Sequence, residues 1–157
     1  MKLGAESHSP EPSASTSPNS LQSVDRFSTS NKLLAAGELP EGHTAVACRE
    51  SQDGPAIGWS YYAPDPYAEG VWNVWWLGVS PSHHGGGVGQ AILSNIERDT
   101  AAFGARVIVI ETSDQEALAR ARNFYLKRGY EERGRIPDFY AEGDSKVIFS
   151  RSLAGAA

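Results

Sequence analysis

The chain has 157 residues, of which 40% are hydrophobic and 21% are charged, and its formal net charge is −5 at pH 7. This composition is typical of one globular domain, and the negative net charge argues against a nucleic-acid partner, which would require a basic surface. The single cysteine, Cys48, excludes an internal disulfide and a cysteine-rich zinc site, and we expect it to be a small buried residue on a strand.

The apolar runs are too short to cross a membrane. Residues 107–110, VIVI, are one of the longest runs, far below the roughly 20 residues that a helix needs to span a bilayer. The first residues of the chain lack the apolar core of a signal peptide. We therefore expect a cytoplasmic protein with no membrane partner.

Residues 1–20 are rich in serine and proline and contain almost nothing that a core could bury. Because such a composition cannot offset the entropy lost on ordering, we predict a disordered tail. Residues 21–157 form the predicted single domain, whose N-terminal elements are short. One short helix is expected within 21–36, ending before Gly37.

Three strands are predicted in the first half of this domain. Residues 43–50 and 55–63 form a predicted pair, joined by a turn that contains an Asp-Gly dipeptide. Residues 71–79, VWNVWWLGV, are apolar at both alternating positions, which is typical of a central strand covered on both faces. We accordingly assign four large aromatic residues of this region to the core: Trp59, Tyr61, Trp72 and Trp75.

The second half alternates helices and strands. Apolar residues at helical spacing predict a helix that begins near Val88 and ends at Gly104. Its expected buried residues are Val88, Ile92, Ile96 and Phe103. A buried strand follows at 105–112, and a second helix is predicted over about 115–128.

Gly129 is expected to end the second helix, whose buried face would carry Ala117, Ala121, Phe124 and Tyr125. Residues 130–136 and 146–153 are the last two predicted strands, and 136–146 is interpreted as a loop. This order of elements predicts a mixed α/β sheet with one clear crossover rather than a repeating doubly wound fold.

The turn before the first helix contains four glycines within the segment VSPSHHGGGVGQAIL, residues 79–93. Backbone N–H groups in such a turn, together with a helix N-terminus, favour phosphate. A Walker loop is excluded because no glycine is followed by the required Lys-Ser/Thr pair. The dinucleotide fingerprint fits poorly, because Gln90 stands where a small residue is needed, although Glu111 lies where a ribose-binding carboxylate would be. The third candidate is the pyrophosphate of coenzyme A.

Two motifs of this chain resemble those of the GNAT acyltransferase superfamily. The pattern V-x-P-x-x-[QR]-x-x-G-x-[GA] is matched by Val79, Pro81, His84, Gly87 and Gly89. The pattern A-x-x-[FL]-Y-x-[KR]-x-G-[FY] is matched by Ala121, Phe124, Tyr125, Lys127, Gly129 and Tyr130. The resemblance covers about 44–153 and is closest to a bacterial subgroup with three further stretches, here residues 72–79, 111–113 (ETS) and 135–146 (RIPDFYAEGDSK).

The resemblance implies a GNAT-type fold, in which helices flank a central mixed β-sheet. It also implies an N-acetyltransferase that moves an acetyl group from acetyl-CoA to a primary amine by direct attack in a ternary complex, without a metal. The acceptor would be a small molecule or a peptide, and a homodimer is possible in this family. The alternative is a catalytically weak CoA-binding sensor or accessory module, since the elements that precede residue 44 are shortened.

The resemblance assigns roles to individual residues. Tyr125 would be the general acid and Glu111 the general base, with Asp138 as the next candidate base. Asp138, Phe139 and Tyr140 would shape the acceptor pocket. The cofactor would be held by Leu77, Gly78, Val79, His84, Gly85, Gly86, Gly87, Val88, Gly89 and Gln90. The backbone amides from Leu77 to Val79 would also form an oxyanion hole.

His84 departs from the superfamily pattern, which has Gln or Arg at this position. An imidazolium beside phosphate is favourable, so we predict that affinity for CoA weakens as the pH rises above roughly 7. Titration of the native protein with CoA at pH 6 and pH 8 measures this, and equal affinities contradict it. His83 and His84 are not expected to form a metal site, because adjacent histidines without further ligands chelate poorly.

Overall fold

The computed structural model describes residues 28–30, 39–51 and 53–153. The predicted disordered tail lies outside these residues. Of the helix expected over 21–36, only Ser28–Ser30 are described, and they form a strand, so a helix through these three residues is wrong. The single-domain organisation of 21–157 stays a prediction.

The described chain contains seven strands and two helices. They are β1 (Ser28–Ser30), β2 (Thr44–Arg49), β3 (Ala56–Pro64), β4 (Val71–Val79), α1 (Val88–Ala102), β5 (Val107–Ser113), α2 (Ala119–Lys127), β6 (Glu131–Ala141) and β7 (Asp144–Ser152). Short 3-10 turns occupy Pro81–His83 and Glu116–Leu118. This mixed sheet with two helices confirms the predicted α/β class.

The chain divides into two compact units, and β4 contributes to both. The first unit comprises residues up to Tyr62 together with Trp76–Arg98, and its strands follow the order β1-β2-β3-β4. The second comprises Ala63–Trp75 and the residues from Asp99 onwards, with the strand order β4-β5-β7-β6.

In the first unit, β2 is the most completely buried strand. It pairs antiparallel with β1 and with β3, and the β2–β3 register runs from Thr44↔Tyr62 to Arg49↔Ala56. Its four central residues are all buried, so both faces of β2 are covered. The prediction for Cys48 is confirmed: its side chain is fully buried, and this burial raises the pKa of the thiol to about 11.

Helix α1 packs on β3 through two aliphatic side chains, Val88 and Ile92, which are almost fully buried. They lie against Gly58, where an added Cβ would stand 2.7 Å from Ile92 Cδ1 and 2.9 Å from Val88 Cγ1. A side chain at position 58 would therefore overlap the helix. This contact fixes the beginning of α1 on the sheet.

In the second unit, β5 is the central strand. It pairs parallel with β4 from Val71↔Val107 to Val74↔Ile110, and antiparallel with β7. The β6 strand pairs antiparallel with β7 and lies at the edge of the sheet. The parallel β4–β5 pair, with α1 between them in sequence, is the predicted crossover connection.

Several predicted burial positions are wrong. Trp72 is buried, but Trp59 and Trp75 are 39% and 42% exposed, and Trp76 is 68% exposed. The second half of β4 is therefore not covered on both faces, although it consists of large apolar residues. Tyr61 is half-buried.

The ends of the two helices also differ from the predictions. Phe103 is 71% exposed because α1 ends at Ala102, and Gly104 follows with a φ of +79°, as expected for a helix stop. Ala117 lies in the 3-10 turn and is exposed, and in α2 the buried residue is Tyr125. The interpretation of 136–146 as a loop is wrong, since β6 and β7 form a hairpin there.

In the part of the chain that the structure describes, no helix combines the length and apolarity needed to traverse a bilayer.

The Gly58 contact predicts a clear effect on stability. In Gly58→Ala, the new methyl group would overlap Ile92 and Val88, and we expect a loss of about 1–3 kcal/mol in the free energy of unfolding. Chemical denaturation measures the change. Gly134→Ala is the matched control, because a Cβ there meets nothing within 4 Å, and it should stay within about 0.5 kcal/mol of the parent. Equal destabilisation by the two substitutions would contradict this account.

Candidate active site

The glycine-rich turn between β4 and α1 exposes its backbone. Gly85 and Gly87 have φ values of +78° and +87°, in the left-handed region that side chains rarely adopt. A Cβ added to Gly87 would meet no heavy atom within 4 Å. A ligand beside Gly87 can therefore approach the main chain directly. The structure thus brings residues 85–90 into one continuous turn and helix start, as predicted.

The N-terminus of α1 completes this turn. The Ala91 N–H donates to the Gly87 carbonyl at 2.9 Å, so the helical hydrogen bonding begins at Gly87. The first N–H groups of a helix have no acceptor within the helix and carry a partial positive charge. At the start of a 15-residue helix, an exposed glycine turn is thus chemically suited to bind an anion.

His84 holds this turn against the end of β4. Its Nε2 lies 2.9 Å from the Val79 carbonyl oxygen, and because a carbonyl only accepts, Nε2 is the protonated nitrogen. The ring therefore has a structural role that sequence reasoning missed, in addition to its predicted place beside phosphate.

The neighbouring His83 has different partners. It interacts with the Ser82 hydroxyl at 3.0 Å and lies 4.0 Å from Glu50. Within the described residues, no group of three or more metal-ligating side chains is assembled.

Gly78 is required by packing against Trp59. A Cβ at Gly78 would lie 2.6–2.9 Å from three atoms of the Trp59 indole. The resemblance assigns Gly78 to the cofactor site, and in the structure an aromatic ring lies against this glycine. The oxyanion role of the amides of Leu77, Gly78 and Val79 stays a prediction.

Tyr125 lies in an aromatic cluster of the second unit. Its ring centroid is 5.8 Å from that of Phe149 and 6.3 Å from that of Tyr130, and only 5% of the residue is exposed. This burial raises the pKa of the phenol to about 12. Tyr125 is therefore protonated at neutral pH, as a general acid must be. An ordinary core tyrosine would be buried in the same way.

Glu111 is paired with a residue that the sequence analysis did not assign. Lys146 Nζ lies 2.5 Å from Glu111 Oε2, and the Lys146 side chain is only 13% exposed. The same ammonium lies 3.7 Å from the centre of the Phe139 ring and 5.9 Å from that of Tyr140. The predicted base and the predicted pocket walls thus surround one cation. Lys146 stands in the quoted 135–146 stretch, which was the available signal.

The remaining predicted acceptor residues lie in an irregular part of the β6–β7 hairpin. Register is lost between Ile136 and Ala141, and Asp138 has a φ of +52°. Its carboxylate accepts a hydrogen bond from the Gly143 N–H at 2.7 Å, which fixes the hairpin tip. Phe139 and Tyr140 are half exposed and stack edge to face.

A hydrogen-bond network attaches the end of β5 to the start of β7. Asp114 and Ser145 exchange two hydrogen bonds of 3.0 Å, and the Ser113 hydroxyl donates to Asp144. The hydrogen bond from the Ser145 N–H, aided by Arg135 and Arg122, holds the pKa of the Asp114 carboxyl below its usual range. This network keeps Lys146 next to Glu111.

Residues 40–132 match the family model described as the acetyltransferase (GNAT) domain. The chain belongs to the GNAT family of acetyltransferases. It is accordingly a GNAT-type N-acetyltransferase, as the resemblance implied. No curated protein matches the chain.

Solved structures agree with the GNAT fold. A protein from Desulfovibrio desulfuricans, assigned to the GNAT family of acetyltransferases, is 31% identical, with a TM-score of 0.67, covering 72% of this chain and 70% of that one. An aminoglycoside 6'-N-acetyltransferase in complex with coenzyme A is 19% identical, with a TM-score of 0.62 and coverages of 71% and 73%. An acyl-CoA N-acyltransferase from Klebsiella pneumoniae is 23% identical, with a TM-score of 0.61 and coverages of 74% and 77%. The last two show the fold alone.

The positive φ of Gly87 predicts that any residue with a side chain is destabilising at this position. Gly87→Ala forces a side chain into a left-handed backbone and should cost about 1–2 kcal/mol of folding stability, although the space beside it is open. Thermal and chemical unfolding measure this loss. Gly86→Ala is the matched neighbour, since its φ is not positive and its Cβ would make an ordinary 3.4 Å contact. If Gly86→Ala destabilises the protein as much as Gly87→Ala, backbone strain is not the cause.

Proposed function

We propose that this protein transfers the acetyl group of acetyl-CoA to a primary amine by direct attack in a ternary complex. The observation that carries the proposal is the exposed glycine turn at the N-terminus of α1. The match to the acetyltransferase family and the likeness to a structure that contains coenzyme A support it. The acceptor would be a small molecule or a peptide.

The residues of the turn suit a pyrophosphate. Gly85 and Gly87 give the turn its left-handed backbone conformation, and the open side of Gly87 leaves room for a bulky anion. The helix terminus adds a favourable interaction of roughly 0.3–1 kcal/mol with negative charge. His84, already fixed by Val79, supplies a further polar group at the turn.

The reaction exchanges one bond for another. The nitrogen lone pair of the amine attacks the carbonyl carbon of the thioester, a C–N bond forms, and the C–S bond breaks. The proton lost by the amine balances the proton gained by the thiolate, so an amide and a thiol result. In this proposal the amides of Leu77, Gly78 and Val79 stabilise the charge on the carbonyl oxygen.

We assign the proton donor to Tyr125. With a pKa of about 12 it is fully protonated at neutral pH. Ordinary thiols have pKa values near 8.5, below that of this phenol, so transfer of its proton remains uphill even after the C–S bond has broken. The phenol therefore donates a hydrogen bond to the sulfur as the bond to carbon breaks, and the proton that the amine loses replaces the proton that the phenol gives up. Glu111 is the proposed base, and Asp138, whose carboxylate accepts a hydrogen bond from the Gly143 N–H, is the second candidate.

Tyr125→Phe tests the proposal. With acetyl-CoA and a panel of amino acids, polyamines, aminoglycosides and peptides, the parent protein should release thiol with at least one amine. Loss of the phenolic hydroxyl should lower kcat by about 100-fold or more, without weakening CoA binding. Thiol release and a CoA titration measure the two quantities.

Tyr130→Phe is the matched control, because it removes a hydroxyl from the same buried aromatic cluster. We expect its kcat to remain within about threefold of the parent. If the protein binds CoA but no amine gives release above the Tyr125→Phe background, a CoA-binding module without turnover replaces the enzyme. Equal losses in the two variants would remove Tyr125 from its assigned role.

A further inference from the structure

One cation of the chain is enclosed by the groups expected to receive the acceptor. The Lys146 ammonium contacts the Glu111 carboxylate at 2.5 Å and the face of the Phe139 ring at 3.7 Å, and the Tyr140 ring, edge to face with Phe139, is centred 5.9 Å from it. A carboxylate beside aromatic faces is the arrangement that proteins use to recognise an ammonium group. We call Glu111, Phe139 and Tyr140 the ammonium cage.

The backbone places this cage and its occupant. Lys146 is opposite Ser113 in the β5–β7 register and opposite Ile136 in the β6–β7 register. Its side chain therefore lies between the end of β5, which carries Glu111, and the irregular segment that carries Phe139. The strained Asp138, held by Gly143, turns the chain immediately before Phe139. A left-handed aspartate is a local cost, which is consistent with a segment shaped for a site.

The geometry points to Lys146 as an internal substitute for the acceptor. We infer that the ammonium cage binds a primary ammonium at the end of an unbranched alkyl chain, and that Lys146 occupies it in the free protein. The acceptor must displace Lys146 to bind. This inference rests on the proposed function for the reaction, but the binding of an ammonium to the cage can be measured without turnover.

Lys146 and the acceptor cannot favourably occupy the ammonium cage at the same time. Two ammonium groups cannot share the position beside Glu111, and like charges about 4 Å apart repel strongly near a protein surface. The Lys146 side chain has a flexible four-carbon stem, so its ammonium can rotate out of the cage. Once it has left, the nitrogen of the acceptor lies within hydrogen-bond reach of Glu111, the proposed base.

The competition has a predicted magnitude. When a site is available only part of the time, the apparent affinity falls by that fraction. If Lys146 fills the cage for about nine-tenths of the time, its removal should strengthen the binding of an external ammonium about tenfold. An uncharged ligand of the same shape should bind weakly to every variant, because it cannot pair with the Glu111 carboxylate.

The experiment is a titration with n-butylammonium, and n-butanol is its uncharged counterpart. Binding is measured from the NMR signals of the Phe139 and Tyr140 rings. Lys146→Met removes the cation and keeps an unbranched stem, and Lys146→Arg retains a cation as the matched control. We expect butylammonium to bind Lys146→Met about tenfold more tightly than the parent or Lys146→Arg. Adding Glu111→Gln to Lys146→Met should abolish the gain.

Equal butylammonium affinities in the parent and in Lys146→Met overturn the inference. It is also overturned if butanol binds Lys146→Met as tightly as butylammonium does. Lys146→Gln serves as a second neutral variant, and failure of both neutral variants to fold would make Lys146 a purely structural residue. Cadaverine and an α-acetylated lysine amide then separate a free diamine from a peptide side chain. A protein that passes these tests but releases no thiol refutes the proposed function and leaves the ammonium cage intact.

Discussion

The contact between α1 and Gly58 is the constraint on which the glycine-rich turn depends. Val88 and Ile92 fill the space that a side chain at Gly58 would occupy, so the first turn of the helix has one position on β3. Because the helix begins directly after the glycines, this packing also determines where its N–H groups point. His84 ties the other end of the turn to Val79. A buried apolar contact thus positions an exposed polar site.

The second unit uses strand register for the same purpose. The pairing of β5 with β7 places Lys146 opposite Ser113, and the exchange between Asp114 and Ser145 prevents a slip by one residue. A slip would turn Lys146 to the other face of the sheet, away from Glu111. The cluster around Lys146 therefore depends on backbone hydrogen bonds more than on the modest attraction between two partly exposed charges.

Much of the fold follows from local patterns in the chain. Both helices were expected near their observed positions, and Gly104 and Gly129 end them with the left-handed φ that glycine permits. The exposure of Trp59, Trp75 and Trp76 was not predictable, because an apolar side chain indicates a preference for burial but not whether the fold supplies a cover. Gly78 was likewise ambiguous, since its crowding by Trp59 comes from a neighbouring strand.

Local patterns in the chain were enough to identify the family, the glycine turn and the order of elements from residue 43 onwards, because these depend on motifs and on periodicities between residues close in the chain. The tertiary structure was needed to show that Lys146 pairs with Glu111, 35 residues away, and that the Phe139 ring lies against the Lys146 ammonium. It was also needed to show that Tyr125 is buried deeply enough to raise its pKa to about 12. Such contacts join distant segments, and they exist only once the strands have paired in one register.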